Sequence, residues 1–159
     1  MGGVMTKIKT LIGSLVTAVA LMGLGAPAAE AAPPEPFTIT ESLNFETETY
    51  TFTASDPLCP SGTFEDEFVG GGGHPDTTGK LSLLIRTVYT CADGSGTFNA
   101  QKHIFLALNE DGSTTNSGAI TFNGGTGDYT RLSGHGIDLG SADAEGIAVG
   151  NISGVLKLR

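Results

Sequence analysis

Tyr89 and Lys102 are the side chains whose placement invites chemistry. In LSLLIRTVYTC, alternation puts Leu81, Leu83, Ile85, Thr87, Tyr89 and Cys91 on one face, so the Tyr89 hydroxyl is in phase with an apolar surface and can point into a cavity. A core tyrosine with its tip in water fits the same pattern. In TFNAQKHIFLAL, Phe98, Ala100, Ile104, Leu106 and Leu108 share one parity, and Lys102 is the odd member. An ammonium inside a barrel would be a ligand-binding group. A slipped register or a stem that snorkels to water accounts for it equally well. His135 stands between two glycines in GHG and completes the candidate ligand-binding set of Tyr89, Lys102 and His135.

Other chemistries fail on spacing. His74, His103 and His135 are scattered, with no H-x-x-x-H, so no metal site is expected. Ser133 and His135 are two apart; on a strand their Cα atoms lie roughly 6.5–7 Å apart with parallel side chains, which is no catalytic pair. Asp128 and Asp138 are candidates for a carboxylate pair of the glycosidase kind, but a chain with no tryptophan and three tyrosines has few sugar platforms. NEDGSTTNSG lacks the spaced carboxylates and closing glutamate of a calcium loop and reads as a solvated turn. Asn151-Ile152-Ser153 fits a glycosylation sequon, a pattern short enough to arise by chance. No catalytic residue and no cofactor is assigned.

The elements that carry these residues are strands. Thr, Val, Phe, Ile and Tyr recur between short Gly, Asn, Asp and Pro punctuation, and almost nothing has helical period. A strand is expected from about Phe37 to Thr53, broken by a bulge where the inward phase changes from Leu43 and Phe45 to Tyr50 and Phe52. SGTFEDEFV, LSLLIRTVYTC, TFNAQKHIFLAL, GAITFNG, HGIDLGSA and EGIAVGNISGVLKL supply the rest, about seven or eight strands in all. The apolar faces of the third and fourth segments match if odd positions pair with even ones, as in Leu83 opposite Ile104. Such a sheet packs as a sandwich or closes as a barrel.

Residues 1–31 read as a secretory signal peptide. Lys7 and Lys9 precede the apolar run LIGSLVTAVALMGLG, and small residues follow. Cleavage after Ala31 fits best, and cleavage after Ala28 also fits. The run is short of the roughly 20 residues of a spanning helix, so no stable membrane anchor is expected. Residues 32–159 form the single domain. Losing Lys7, Lys9 and Glu30 moves the formal charge from −9 to −10, which repels nucleic acid. Cys59 and Cys91 are the chain's two cysteines, and in a secreted protein they suggest a disulfide. If 59–69 and 80–91 are antiparallel strands joined through VGGGGHPDTTG, the two cysteines lie opposite each other.

The segment FNGGTGDYTRLSGHGI fails as a phosphate loop, because neither G-x-G-x-x-G nor G-x-x-x-x-G-K-[ST] is completed and no helix follows. It reads as a structural turn built on Gly124, Gly125, Thr126, Gly127, Tyr129, Gly134 and Gly136. Thr126 is placed to fold its hydroxyl onto nearby backbone, Asp128 to cap the single turn that follows it, and Tyr129 to plug a barrel end. The segment resembles a turn shared by the allene oxide cyclases and the dirigent proteins: an apolar strand end, then Gly124-Gly125-Thr126-Gly127, Asp128, Tyr129, a tight turn and Gly134-His135-Gly136. The resemblance implies an all-β, eight-stranded antiparallel β-barrel of the allene oxide cyclase/dirigent kind. It further implies a lumen for a small apolar molecule and an outer face able to form homo-oligomers; Leu84, Val88 and Phe105, on the outer face here, could serve such contacts or equally be isolated surface apolars. Two functions follow as expectations: a secreted, non-catalytic barrel binding a small apolar molecule or an extracellular partner, or a cyclase- or dirigent-like enzyme working in the lumen.

Overall fold

The computed structural model describes residues 33–72 and 80–158. The proposed signal peptide, His74 and most of the glycine-rich loop lie outside them. Eight strands follow in chain order: β1 (Glu35–Asn44), β2 (Thr49–Ala54), β3 (Ser61–Gly72), β4 (Lys80–Cys91), β5 (Thr97–Leu108), β6 (Thr114–Gly125), β7 (Ser133–Ala142) and β8 (Ile147–Lys157). Each pairs antiparallel with the next, and β8 returns to β1, closing an up-and-down barrel. Closure leaves no sheet edge unpaired. Of the sandwich and the barrel, the chain takes the barrel.

The expected long first strand is a hairpin. Residues 45–48 turn the chain between β1 and β2, so the change of inward phase marks a turn and not a bulge. The side chain of Asn44 accepts the backbone N–H groups of Glu46 and Thr47, both at 3.0 Å, and Glu48 takes φ +52°. The register of β4 on β5 puts Leu83 opposite Ile104, as the facing apolar parities require.

Inward positions fall in layers along the barrel axis. One end is filled by Phe37, Ile39, Phe52, Phe64, Tyr89, Phe98, Phe122, Ile152 and Leu156, all 0–2% exposed. Tyr89 stacks on Phe98 at 4.5 Å between centroids, and Phe37 meets Phe122 edge-on at 5.1 Å. Tyr129 seals this plug from outside, 4% exposed and 5.3 Å from the Phe98 ring. It sits on a single 3-10 turn, Gly127–Tyr129. Gly127 holds φ +58°, and a Cβ there would meet the Ser95 carbonyl oxygen at 2.1 Å, so only glycine fits without backbone movement. The Thr126 hydroxyl accepts the Thr97 N–H at 3.0 Å. Thr126 caps the Gly127–Tyr129 turn without a side-chain hydrogen bond to it, and the exposed Asp128 side chain makes no hydrogen bond to the turn after it.

Cys59 and Cys91 form a disulfide with Cα atoms 5.9 Å apart. Cys59 is not on a strand, contrary to the expected cross-strand pair. It lies in the loop before β3, while Cys91 ends β4 opposite Gly62. The bond therefore ties the β2–β3 loop to the barrel at its plugged end.

Candidate ligand site in the barrel lumen

Above the aromatic plug the inward layer turns polar. Glu41 on β1, Asp66 on β3, Thr87 on β4, Lys102 on β5 and Asp138 on β7 all reach the same height. Lys102 is 3% exposed and donates to both oxygens of Glu41, at 2.6 and 2.8 Å. Its ammonium also lies 3.9 Å from Asp138 Oδ2 and 4.0 Å from Asp66 Oδ1. It faces the Phe64 ring at 5.4 Å, an added cation–π attraction. Tyr89 donates its hydroxyl to Glu41 Oε1 at 2.5 Å, and Thr87 donates to Asp66 Oδ1 at 2.6 Å. Asp138 Oδ1 accepts a long bond from Asn116 at 3.4 Å.

Burial and mutual charge set the proton affinities. Desolvation, followed by the Glu41 carboxylate, pushes the Tyr89 phenol well above its ordinary value, so it stays a neutral donor. Desolvation opposes the Lys102 charge, but the carboxylates of Glu41, Asp66 and Asp138 together outweigh it, and the ammonium is held above its usual value. Asp138 is raised to about 6, chiefly by desolvation; Lys102 pulls it down and Glu41 pushes it up.

Over this floor stands a cavity of about 590 Å³. Its walls are mostly apolar, with Leu43, Tyr50, Leu83, Ile85, Ile104 and Leu106 prominent. Phe45 and Phe68 stand at its outer rim, 53% and 63% exposed, so among the described residues the cavity opens to solvent past them. Gly150 leaves space for the floor: a Cβ there would stand 3.0 Å from Glu41 Oε2.

Tyr89 and Lys102 meet at Glu41, but of the three expected ligand-binding residues only Lys102 lines the cavity; Tyr89 is fully buried in the plug beneath it. His135 is exposed on the outward face of β7 and does not line the cavity. Asp138 and Asp128 do not form a pair, since Asp138 is at the floor and Asp128 is on the exposed turn beside the plug. Ser133 gives way to Ser82 as the serine beside a histidine: Ser82 Oγ lies 3.0 Å from His103 Nε2 on the outer surface. No carboxylate among the described residues orients that ring, so the pair has no triad. Cys59, Cys91 and Asp93 cluster closely enough for a metal, but both sulfurs are spent in the disulfide. Phe105 is exposed on the outer face, whereas Leu84 and Val88 are half-buried.

Glu41 is the main residue that sequence reading missed. It shares the inward parity of Phe37, Ile39 and Leu43, so it is the acidic counterpart of the odd Lys102, and that symmetry was visible. Asp138 gave no such signal, because its neighbours Ile137 and Leu139 are the outward ones, 58% and 53% exposed. Comparison of the chain with protein-family models, curated proteins and solved structures returns no match.

Proposed function

We propose that this protein is a secreted, non-catalytic carrier that holds a small, largely apolar molecule in the open half of its barrel. The observation that carries this reading is the apolar-walled cavity of about 590 Å³ above a polar floor, the size and lining of a small-molecule site. The floor groups are largely spent on one another. Glu41 is held by Lys102 and Tyr89, and Asp66 by Thr87, which suits orientation of a ligand better than proton transfer. The disulfide and the leader-like residues 1–31 support an extracellular location. The Gly124–Gly136 segment supports kinship with allene oxide cyclase- and dirigent-like barrels.

A second reading, a cyclase- or dirigent-like enzyme, is favoured by Asp138 alone. It is a buried carboxyl facing the cavity, raised to about 6, where it can act as acid or base near neutral pH.

Native mass spectrometry of the protein secreted by its host tests the carrier. A reproducible extra mass, lost on denaturation, is expected, and the same spectrum gives the oligomeric state. Ala148 lines the cavity, so Ala148→Phe should fill it and abolish Nile red fluorescence enhancement while leaving the β-sheet circular dichroism intact. A bare mass together with Nile red binding indifferent to Ala148→Phe would overturn the lumen reading.

A further inference from the structure

The polar floor is not charge-balanced. At formal charges it holds three carboxylates, Glu41, Asp66 and Asp138, against one ammonium. Lys102 is engaged by both oxygens of Glu41, so its charge is offset within the protein. Glu41, Lys102, Asp66 and Asp138 all line the cavity; with Lys102 bidentate on Glu41, Asp66 and Asp138 keep only its longer ion pairs at 4.0 and 3.9 Å. Asp138 accepts one long hydrogen bond at Oδ1, from Asn116, and its Oδ2 makes an ion pair with Lys102 Nζ at 3.9 Å, longer than a hydrogen bond. No buried side-chain oxygen among the described residues is left without a partner, so Oδ2 borders the cavity space, where a ligand donor can take the place of water.

We infer that the lumen takes an amphiphilic cation, an alkyl or aryl amine whose ammonium docks on Asp138 and Asp66 while its hydrocarbon body lies against Leu43, Ile85 and Ile104. This rests on the carrier reading above and specifies the chemical class of its ligand. An ammonium can donate to Asp138 Oδ2 at shorter range than Lys102 reaches, and it offsets the floor's excess negative charge through charge-assisted hydrogen bonds. An anionic amphiphile is disfavoured twice: Lys102 is already bidentate on Glu41, and the carboxylate head would face Asp66 and Asp138. A neutral alcohol satisfies Asp138 Oδ2 with one donor and leaves the charge uncompensated. The apolar walls treat all three alike, so the head group decides.

Calorimetric titration of the purified protein with decylamine, decanol and decanoate at pH 8 makes the comparison at constant chain length. The amine is expected to bind roughly ten- to hundred-fold more tightly than the alcohol, the range of one hydrogen-bonded charge, and decanoate most weakly. Asp138→Asn should bring the amine-to-alcohol ratio towards one. Equal affinity for amine and alcohol in the wild type would overturn the amine reading while leaving the carrier intact, as would a preference for decanoate. Amine binding that survives in Ala148→Phe would place it on the acidic exterior and overturn the inference as well. Failure of all three ligands and of Nile red would remove the carrier reading and the amine reading together.

Discussion

Lys102 and Glu41 hold each other inside the barrel; Glu41 also accepts from Tyr89, while the other carboxylates near Lys102 stand at 3.9 and 4.0 Å. Lys102→Met therefore strands a buried carboxylate and should cost about 3–5 kcal/mol in urea unfolding. Glu41→Gln/Lys102→Met removes both charges while keeping an acceptor for Tyr89, and should recover most of that loss. A single variant within about 1 kcal/mol of wild type would show the pair to be dispensable. Asp138 works in the opposite sense. Its folded value of about 6 lies above its ordinary 3.8, so the fold binds this proton more tightly than the unfolded chain. The stability this adds is complete below about pH 4 and is lost as pH rises through about 6. Asp138→Asn should thus be more stable than wild type at pH 8, by up to about 3 kcal/mol, with the gap closing below pH 4. Thermal unfolding of both proteins across that range checks it, and a wild type that is the more stable at pH 8 would contradict it. Lys102 was legible in the sequence because one charge interrupted an apolar parity. Asp138 was legible only as a candidate partner of Asp128 and not as a lumen residue, because β7 inverts the pattern, with apolar Ile137 and Leu139 outside and glycines within.

Among the elements, β4 and β5 were the most readable, since both are long, strictly alternating and joined by a polar ADGSG turn. Their facing apolar parities suggested Leu83 opposite Ile104, the register the structure has, although a bulge in the glycine-bearing turn could have shifted it. The β1–β2 hairpin was not readable for a physical reason. Its turn, Phe45-Glu46-Thr47-Glu48, contains no glycine or proline, and its shape comes from the Asn44 side chain and a positive φ at Glu48. The disulfide partners were legible from count and compartment, but not their placement, because Cys59 lies in a loop that alternation does not govern. That bond closes a sequence separation of 32 residues and pins the β2–β3 loop against the plug. Cys59→Ser/Cys91→Ser should lower unfolding free energy by about 3–4 kcal/mol in the chain-entropy account. The cavity lies in the other half of the barrel, so Nile red binding of the folded double variant should persist. A loss of binding with the sheet intact would show that the two halves are coupled.

At the scale of the whole molecule, the barrel divides its work along its axis. The aromatic plug supplies most of the close packing, with rings from β1 to β6 meeting edge-on or stacked. The other half leaves its lumen unfilled above a floor of buried charge. Packing density and vacancy are thus separated within one small domain, and the stable half holds the strands that line the empty one. The pairing of β1 with β8 adds a consequence of connectivity. Glu35 lies opposite Leu156, so the two ends of the described barrel leave side by side at the plugged end. A short Gly-Ser bridge can join them, and new termini can be cut at Asp111–Gly112 in the β5–β6 turn, since a sheet closed on itself has no privileged first strand. Such a circular permutant should regain the same circular dichroism and the same cavity. Either end of the described barrel can likewise be tethered to a bead or a partner domain while the mouth, at the far end of the axis, stays clear.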